Sequence, residues 1–211
     1  AHEMVHLIAS NLYLCATYRK EKLFFLGKII ETSFDHDTAN MSIVDEVIDP
    51  ALKLHPRYSY ITGAMNYKSN DFENILDELN AYTTQSIFQE KYIRSGYIAG
   101  ASSPNTTLSI DSGSGGVVNF MVYLEAYLQA ARLNYPETYQ LIQNDPVVIS
   151  FMQQLWNAAE NTLETSFYLT QFDNGTAYHF AVDPAYLKAA YSSALLEELD
   201  RLGITHRQSA Y

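Results

Sequence analysis

The chain has 211 residues, 47% apolar and 18% charged, a globular composition long enough to bury one large core or two small ones. Thirteen basic residues against twenty-four acidic ones give a net charge of −11. No basic cluster appears beyond Arg19-Lys20-Glu21-Lys22, so nucleic acid is excluded as an expected partner. No apolar run reaches the roughly 18 residues that a membrane span requires, and the single cysteine, Cys15, excludes an intrachain disulfide.

Residues 1 to 32 carry apolar stripes through Leu7, Leu14, Leu23, Phe24, Leu26 and Ile30 without a proline, which predicts one long helix or two joined near Gly27. From 32 to 70 the pattern loosens. Asp35-His36-Asp37, Asp49-Pro50, His55-Pro56 and Thr62-Gly63 mark turns, with a short helix expected near 42–48. Ser69-Asn70-Asp71 offers capping chemistry for a helix over 71–94 that ends before Gly96. Residues 97–116, rich in Ser, Gly and Asn, read as a polar linker, with Gly113-Ser114-Gly115-Gly116 as a flexible entry to the next helix. Amphipathic helices follow over 117–133, 136–143, 146–168 and 184–202. The last opens on Asp183-Pro184, a favourable cap and first-turn pair. A small hairpin around Asp173-Asn174-Gly175 is expected within 168–182. The chain is therefore expected to be mostly α. Residues 1–96 form one region and 97–211 a second packed on it within the same domain. The 17 tyrosines suit half-buried positions, either lining a polar cleft or capping an ordinary helical core.

The segment Ala1-His2-Glu3-Met4-Val5-His6 contains HExxH. On a helix, residues i and i+4 share one face, so two imidazoles can each direct a nitrogen at one tetrahedral Zn²⁺ at about 2.0–2.1 Å. Glu3, beside the first ligand, can act as the base that deprotonates a water and then protonates the leaving amine. The neighbours Met4, Val5, Leu7 and Ile8 are uncharged, as expected for a helix beneath an active site. Ala9 and Leu12 stand where the extended HExxHxxGxxH pattern needs Gly and His, which excludes that pattern. A third ligand is needed. Glu78, in Leu76-Asp77-Glu78-Leu79-Asn80-Ala81-Tyr82, lies beside an apolar stripe where an uncompensated carboxylate is costly. Asn74 and Tyr82 stand one turn before and after it. His36 is the alternative third ligand. Tyr60, Tyr67, His55 and Tyr82 are the candidate donors to a developing oxyanion.

HExxH followed by a Glu in an Asp-Glu-Leu-Asn-Ala-Tyr stretch on a later helix resembles the gluzincin branch of zinc metallopeptidases, over about a dozen residues in two segments. The resemblance implies a zincin-like helical core with additional C-terminal helices. It implies His2, His6 and Glu78 as zinc ligands, Glu3 as general base, Tyr82 and Tyr60 as further catalytic candidates, and a peptide or protein as substrate. The family's substrate-binding strand lies upstream of its motif helix. The reading therefore takes the chain as lacking an N-terminal part, and favours a secreted or periplasmic setting. The competing reading is a non-catalytic helical domain in which HExxH is accidental or binds a structural metal.

Overall fold

The computed structural model describes residues 4–5, 22–25, 28–31, 38–61, 71–94, 110–172 and 182–209, and statements of absence below refer to these. The described chain is mostly helical. Two short strands, β1 (Lys22–Phe25) and β2 (Lys28–Glu31), precede three 3-10 helices, η1 (Met41–Glu46), η2 (Pro50–Leu54) and η3 (Pro56–Tyr60). Six α-helices follow: α1 (Phe72–Arg94), α2 (Ile110–Asn134), α3 (Pro136–Gln143), α4 (Pro146–Phe172), α5 (Pro184–Ala190) and α6 (Ser193–Arg201).

The helix expected over 1–32, as one or as two joined near Gly27, is corrected at 22–25 and 28–31 by a hairpin. β1 pairs with β2 antiparallel, from Lys22 opposite Glu31 to Phe25 opposite Lys28. Leu-Phe-Phe and Ile-Ile are strand-forming runs, and a two-residue connection containing Gly27 is a hairpin signal that outweighs the helical stripe. The short helix expected near 42–48 forms as η1. Asp49-Pro50 and His55-Pro56, read as turns, open η2 and η3. Asp49 Oδ1 accepts Ala51 N–H at 2.8 Å and His55 Nδ1 accepts Arg57 N–H at 3.1 Å, so each side chain caps the helix its proline begins.

The polar linker over 97–116 is corrected at its C-terminal end, because α2 begins at Ile110. Gly113 and Gly116 lie inside that helix, on the face that meets α1. A Cβ on Gly116 would fall on the ring of Tyr82, and one on Gly113 would collide with Ser86 Oγ. These glycines admit a neighbouring helix, and that close approach offsets their low helix propensity. The helix over 136–143 forms as expected. The one expected over 146–168 runs on to Phe172, so 168–172 are helical; the rest of the expected hairpin lies outside the described residues. The helix expected over 184–202 divides at Tyr191–Ser192, where Ser192 takes the extended backbone of an N-cap.

One buried cluster draws on both sequence regions, from Met41 in η1 to Ile204 after α6. Its largest fully buried side chains are Trp156, Tyr123, Tyr127, Tyr186, Phe72, Phe120 and Phe151. α2 is the central helix, packed on α1, α3, α4, α5, α6 and η1. The tyrosines attach the 38–61 segment to this core. Tyr127 Oη donates to Ala39 O at 2.6 Å, Tyr135 Oη to Glu46 Oε1 at 2.6 Å and Tyr186 Oη to Leu52 O at 2.7 Å, while Tyr58 Oη ties the segment to itself by donating to Asp45 Oδ1 at 2.5 Å. Each ring supplies apolar area while its hydroxyl satisfies a polar group of a segment built from short 3-10 helices.

Candidate functional site

His2, Glu3 and His6 lie outside the described residues, as do His36 and Tyr67, and nothing is described of the Tyr60 side chain. The two variable positions of the motif are described. Met4 and Val5 are helical, with Val5 only 3% exposed and Met4 55% exposed. Adjacent residues on a helix differ by about 100° in direction, so this segment has an inner and an outer face.

Glu78 sits in the first half of α1, and its Oε2 is buried. Its helical neighbours Ile75 and Leu79 are fully buried. Asn74, one turn earlier on the same face, has a buried Nδ2 without a hydrogen-bond partner among the described residues. Tyr82, one turn later, is buried between helices. Its ring stacks on Phe120 with centroids 5.5 Å apart and an interplanar angle of 23°. Gly116 passes close beneath it. The glycine in α2 is therefore what makes room for Tyr82.

Arg57 is the residue that sequence reasoning missed. Its guanidinium carbon lies 5.5 Å from the Tyr82 ring centroid, a cation–π arrangement, and Nη1 donates to Asn119 Oδ1 at 3.3 Å. The available signal was His55-Pro56-Arg57, a capped and proline-initiated turn that fixes the next side chain. His55, one of the oxyanion candidates, is placed elsewhere. Its Nδ1 accepts from Arg57 N, and its ring meets Tyr186 edge-on at 5.2 Å. Burial, then the Arg57 charge, holds its pKa below the usual histidine value, which favours the neutral ring that this cap requires.

Among the described residues no three His, Cys, Asp or Glu side chains converge as a metal site. The motif histidines are not among those residues. No protein-family model matches the chain, and comparison with curated proteins and with solved structures finds no match. The functional reading therefore rests on the residues themselves.

Proposed function

We propose that the protein is a zinc-dependent hydrolase, most plainly a peptidase, with His2, His6 and Glu78 as metal ligands and Glu3 as general base. The observation that carries this reading is the HExxH sequence. Support comes from the helical state of Met4 and Val5 and the inward burial of Val5. The donor chemistry also fits: two imidazoles one turn apart and a carboxylate with a buried oxygen are a hard and borderline ligand set suited to zinc.

When bound, zinc supplies a lowered pKa for an attacking water and polarises the scissile carbonyl. The Glu3 carboxylate takes the proton of that water and returns it to the leaving nitrogen. Asn74 Nδ2 is a buried donor on the face that carries Glu78, and it joins Tyr60 and Tyr82 as a candidate donor to the carbonyl oxygen. The Arg57 guanidinium lies over the Tyr82 ring, and Phe120 stacks on that ring.

The test is elemental analysis of dialysed protein beside a peptide-hydrolysis assay. The expected result is about one zinc per chain, lost in His6→Ala and in Glu78→Ala. Glu3→Gln is expected to keep the metal and lose hydrolysis by roughly 10²–10⁴ fold. Zinc content unaffected by His6→Ala would end the proposal. So would full hydrolysis by Glu3→Gln.

A further inference from the structure

Glu125 lies in the middle of α2, fully buried, with the fully buried Met121, Val122 and Leu128 one turn away along the helix. Neither of its carboxyl oxygens has a hydrogen-bond partner among the described residues. A second carboxyl, Glu160 on α4, is only 3% exposed and acts electrostatically on it. Glu160 is well provided with donors. Its Oε1 accepts the indole N–H of Trp156 at 3.0 Å and the backbone N–H of Arg207 at 2.8 Å, and the Arg207 guanidinium Nε lies 3.8 Å from Oε2. Tyr191, at the end of α5, faces both carboxyls, and its buried hydroxyl likewise has no hydrogen-bond partner among the described residues.

The segment after α6 closes over Glu160. Gly203 adopts a left-handed backbone, φ 72°, and Ile204 N–H returns to Leu199 O at 3.0 Å while Gly203 N–H returns to Asp200 O at 3.0 Å. This is a Schellman-type helix end, which reverses the chain. The strap that follows is clipped along one face of α4. Thr205 N–H donates to Gln153 Oε1 at 2.7 Å, and Arg207 donates to Asn161 Oδ1 at 2.7 Å and to Glu164 Oε2 at 2.8 Å. His206 lies 3.1 Å from Asp200 and 2.9 Å from Arg207 O. An open cleft lined by Asn157, Glu160, Asn161, Thr205, His206 and Arg207 brings solvent to the strap side of Glu160.

A second negative charge at Glu125 has no cation of its own, because Arg207 serves Glu160 and Glu164. A proton supplies the counter-charge without any added volume. We propose that the buried Glu125 carboxyl retains its proton and, through Glu160, couples closure of the strap, residues 203–209, to pH. With the proton bound the strap is closed; once it is lost, the pair draws in water and the strap opens.

Burial, and then the Glu160 charge, keeps Glu125 well above its ordinary 4.5. The closed state thus retains a proton that an opened or unfolded chain loses, and its stability falls as pH rises above that ordinary value.

Trp156, the single tryptophan, bonds directly to Glu160 and reports on the pair. The experiment follows Trp156 emission and the hydrogen-exchange protection of the Arg207 amide from about pH 5 to about pH 9, with circular dichroism recorded alongside. The parent is expected to show a red shift and a roughly tenfold or greater loss of Arg207 protection while helicity is unchanged. Glu125→Gln is expected to abolish the transition and remain closed. Arg207→Gln, which weakens closure, is expected to move the midpoint to lower pH. A transition that survives Glu125→Gln would belong to another group and overturn the proposal. A folded parent with no transition, or an unmoved midpoint in Arg207→Gln, would overturn it equally.

Discussion

The two halves of α2 pack by opposite means. From Gly113 to Phe120 the helix meets α1 through missing side chains. Two glycines bring the backbones close, and Tyr82 fills the space that remains. From Tyr123 to Asn134 it meets η1, α5 and α6 through polar groups with matched partners. Tyr123 reaches Tyr186, Tyr127 reaches Ala39 O and Arg132 reaches Glu198. The first mode depends on volume and the second on hydrogen bonds, so the two halves should fail under different substitutions. Glu125 lies in the second half without the matched partner its neighbours have, and that exception makes it a candidate for regulation.

The largest effect is expected at the polar end. Glu198 is 1% exposed, and Arg132 grips it with Nε to Oε2 at 2.8 Å and Nη2 to Oε1 at 2.7 Å. The Glu198 bonds hold the Arg132 pKa above its usual value. Arg132→Met would leave a buried carboxylate without its cation. The expected cost is about 3 kcal/mol at neutral pH, the low end for a broken buried pair because Arg132 keeps 30% of its side chain in water. Adding Glu198→Gln should recover part of it. Urea unfolding of the four members of this cycle gives the comparison. A cost no larger than that of a surface change would mean that the ion pair does not hold this half.

At the other end, Gly116→Ala places a methyl group against the Tyr82 ring, which is also packed against Phe120 and Arg57. Overpacking should exceed the gain in helix propensity, for a net loss of about 1–2 kcal/mol. Gly113→Ala meets Ser86 Oγ and the end of Gln89, and a flexible Gln terminus can move aside. It should cost less than Gly116→Ala in thermal unfolding. Equal costs would remove the special role assigned to Tyr82.

These glycines mark where the sequence stopped being legible. Asp183-Pro184 announced its helix, since proline is preorganised for a first turn, and Ser69-Asn70-Asp71 announced α1. Gly113 and Gly116 signalled a linker because local propensity carries no information about a helix that arrives from elsewhere in the chain. The hairpin was missed for the reverse reason: Leu23, Phe24 and Ile30 satisfy a helical stripe as readily as a strand when only apolar spacing is counted. At the candidate site, the HExxH pattern stands out because metal ligation would set both residue type and spacing, whereas Glu78 is proposed as third ligand on its residue type beside an apolar stripe. Arg57 is not readable, because its nearness to Tyr82, 25 residues on in the sequence, arises only in the folded chain. Glu125 was readable in principle, as a carboxylate inside the apolar run from Val117 to Leu128, but only burial on every side distinguishes it from a solvent-facing residue.

The smallest effect separates two tyrosines that look equivalent. Tyr123 and Tyr186 are both fully buried, with hydroxyls 2.8 Å apart. Tyr186 spends its hydrogen on Leu52 O, so Tyr123 must be the donor between them. Burial, then this bond, raises the Tyr123 pKa, in keeping with a hydroxyl that retains its proton. Tyr123→Phe therefore removes one bond and leaves the Leu52 carbonyl satisfied, an expected loss of about 1 kcal/mol. Tyr186→Phe removes both bonds and strands a hydroxyl and a carbonyl inside the core, so it should cost about twice as much. The double variant should cost no more than Tyr186→Phe, because the Tyr123 hydroxyl has no partner once Tyr186 is Phe. Additive losses in urea unfolding would show that the two hydroxyls act independently. The polar half of α2 would then be held by separate contacts and not by a relay reaching from α2 through α5 to η2.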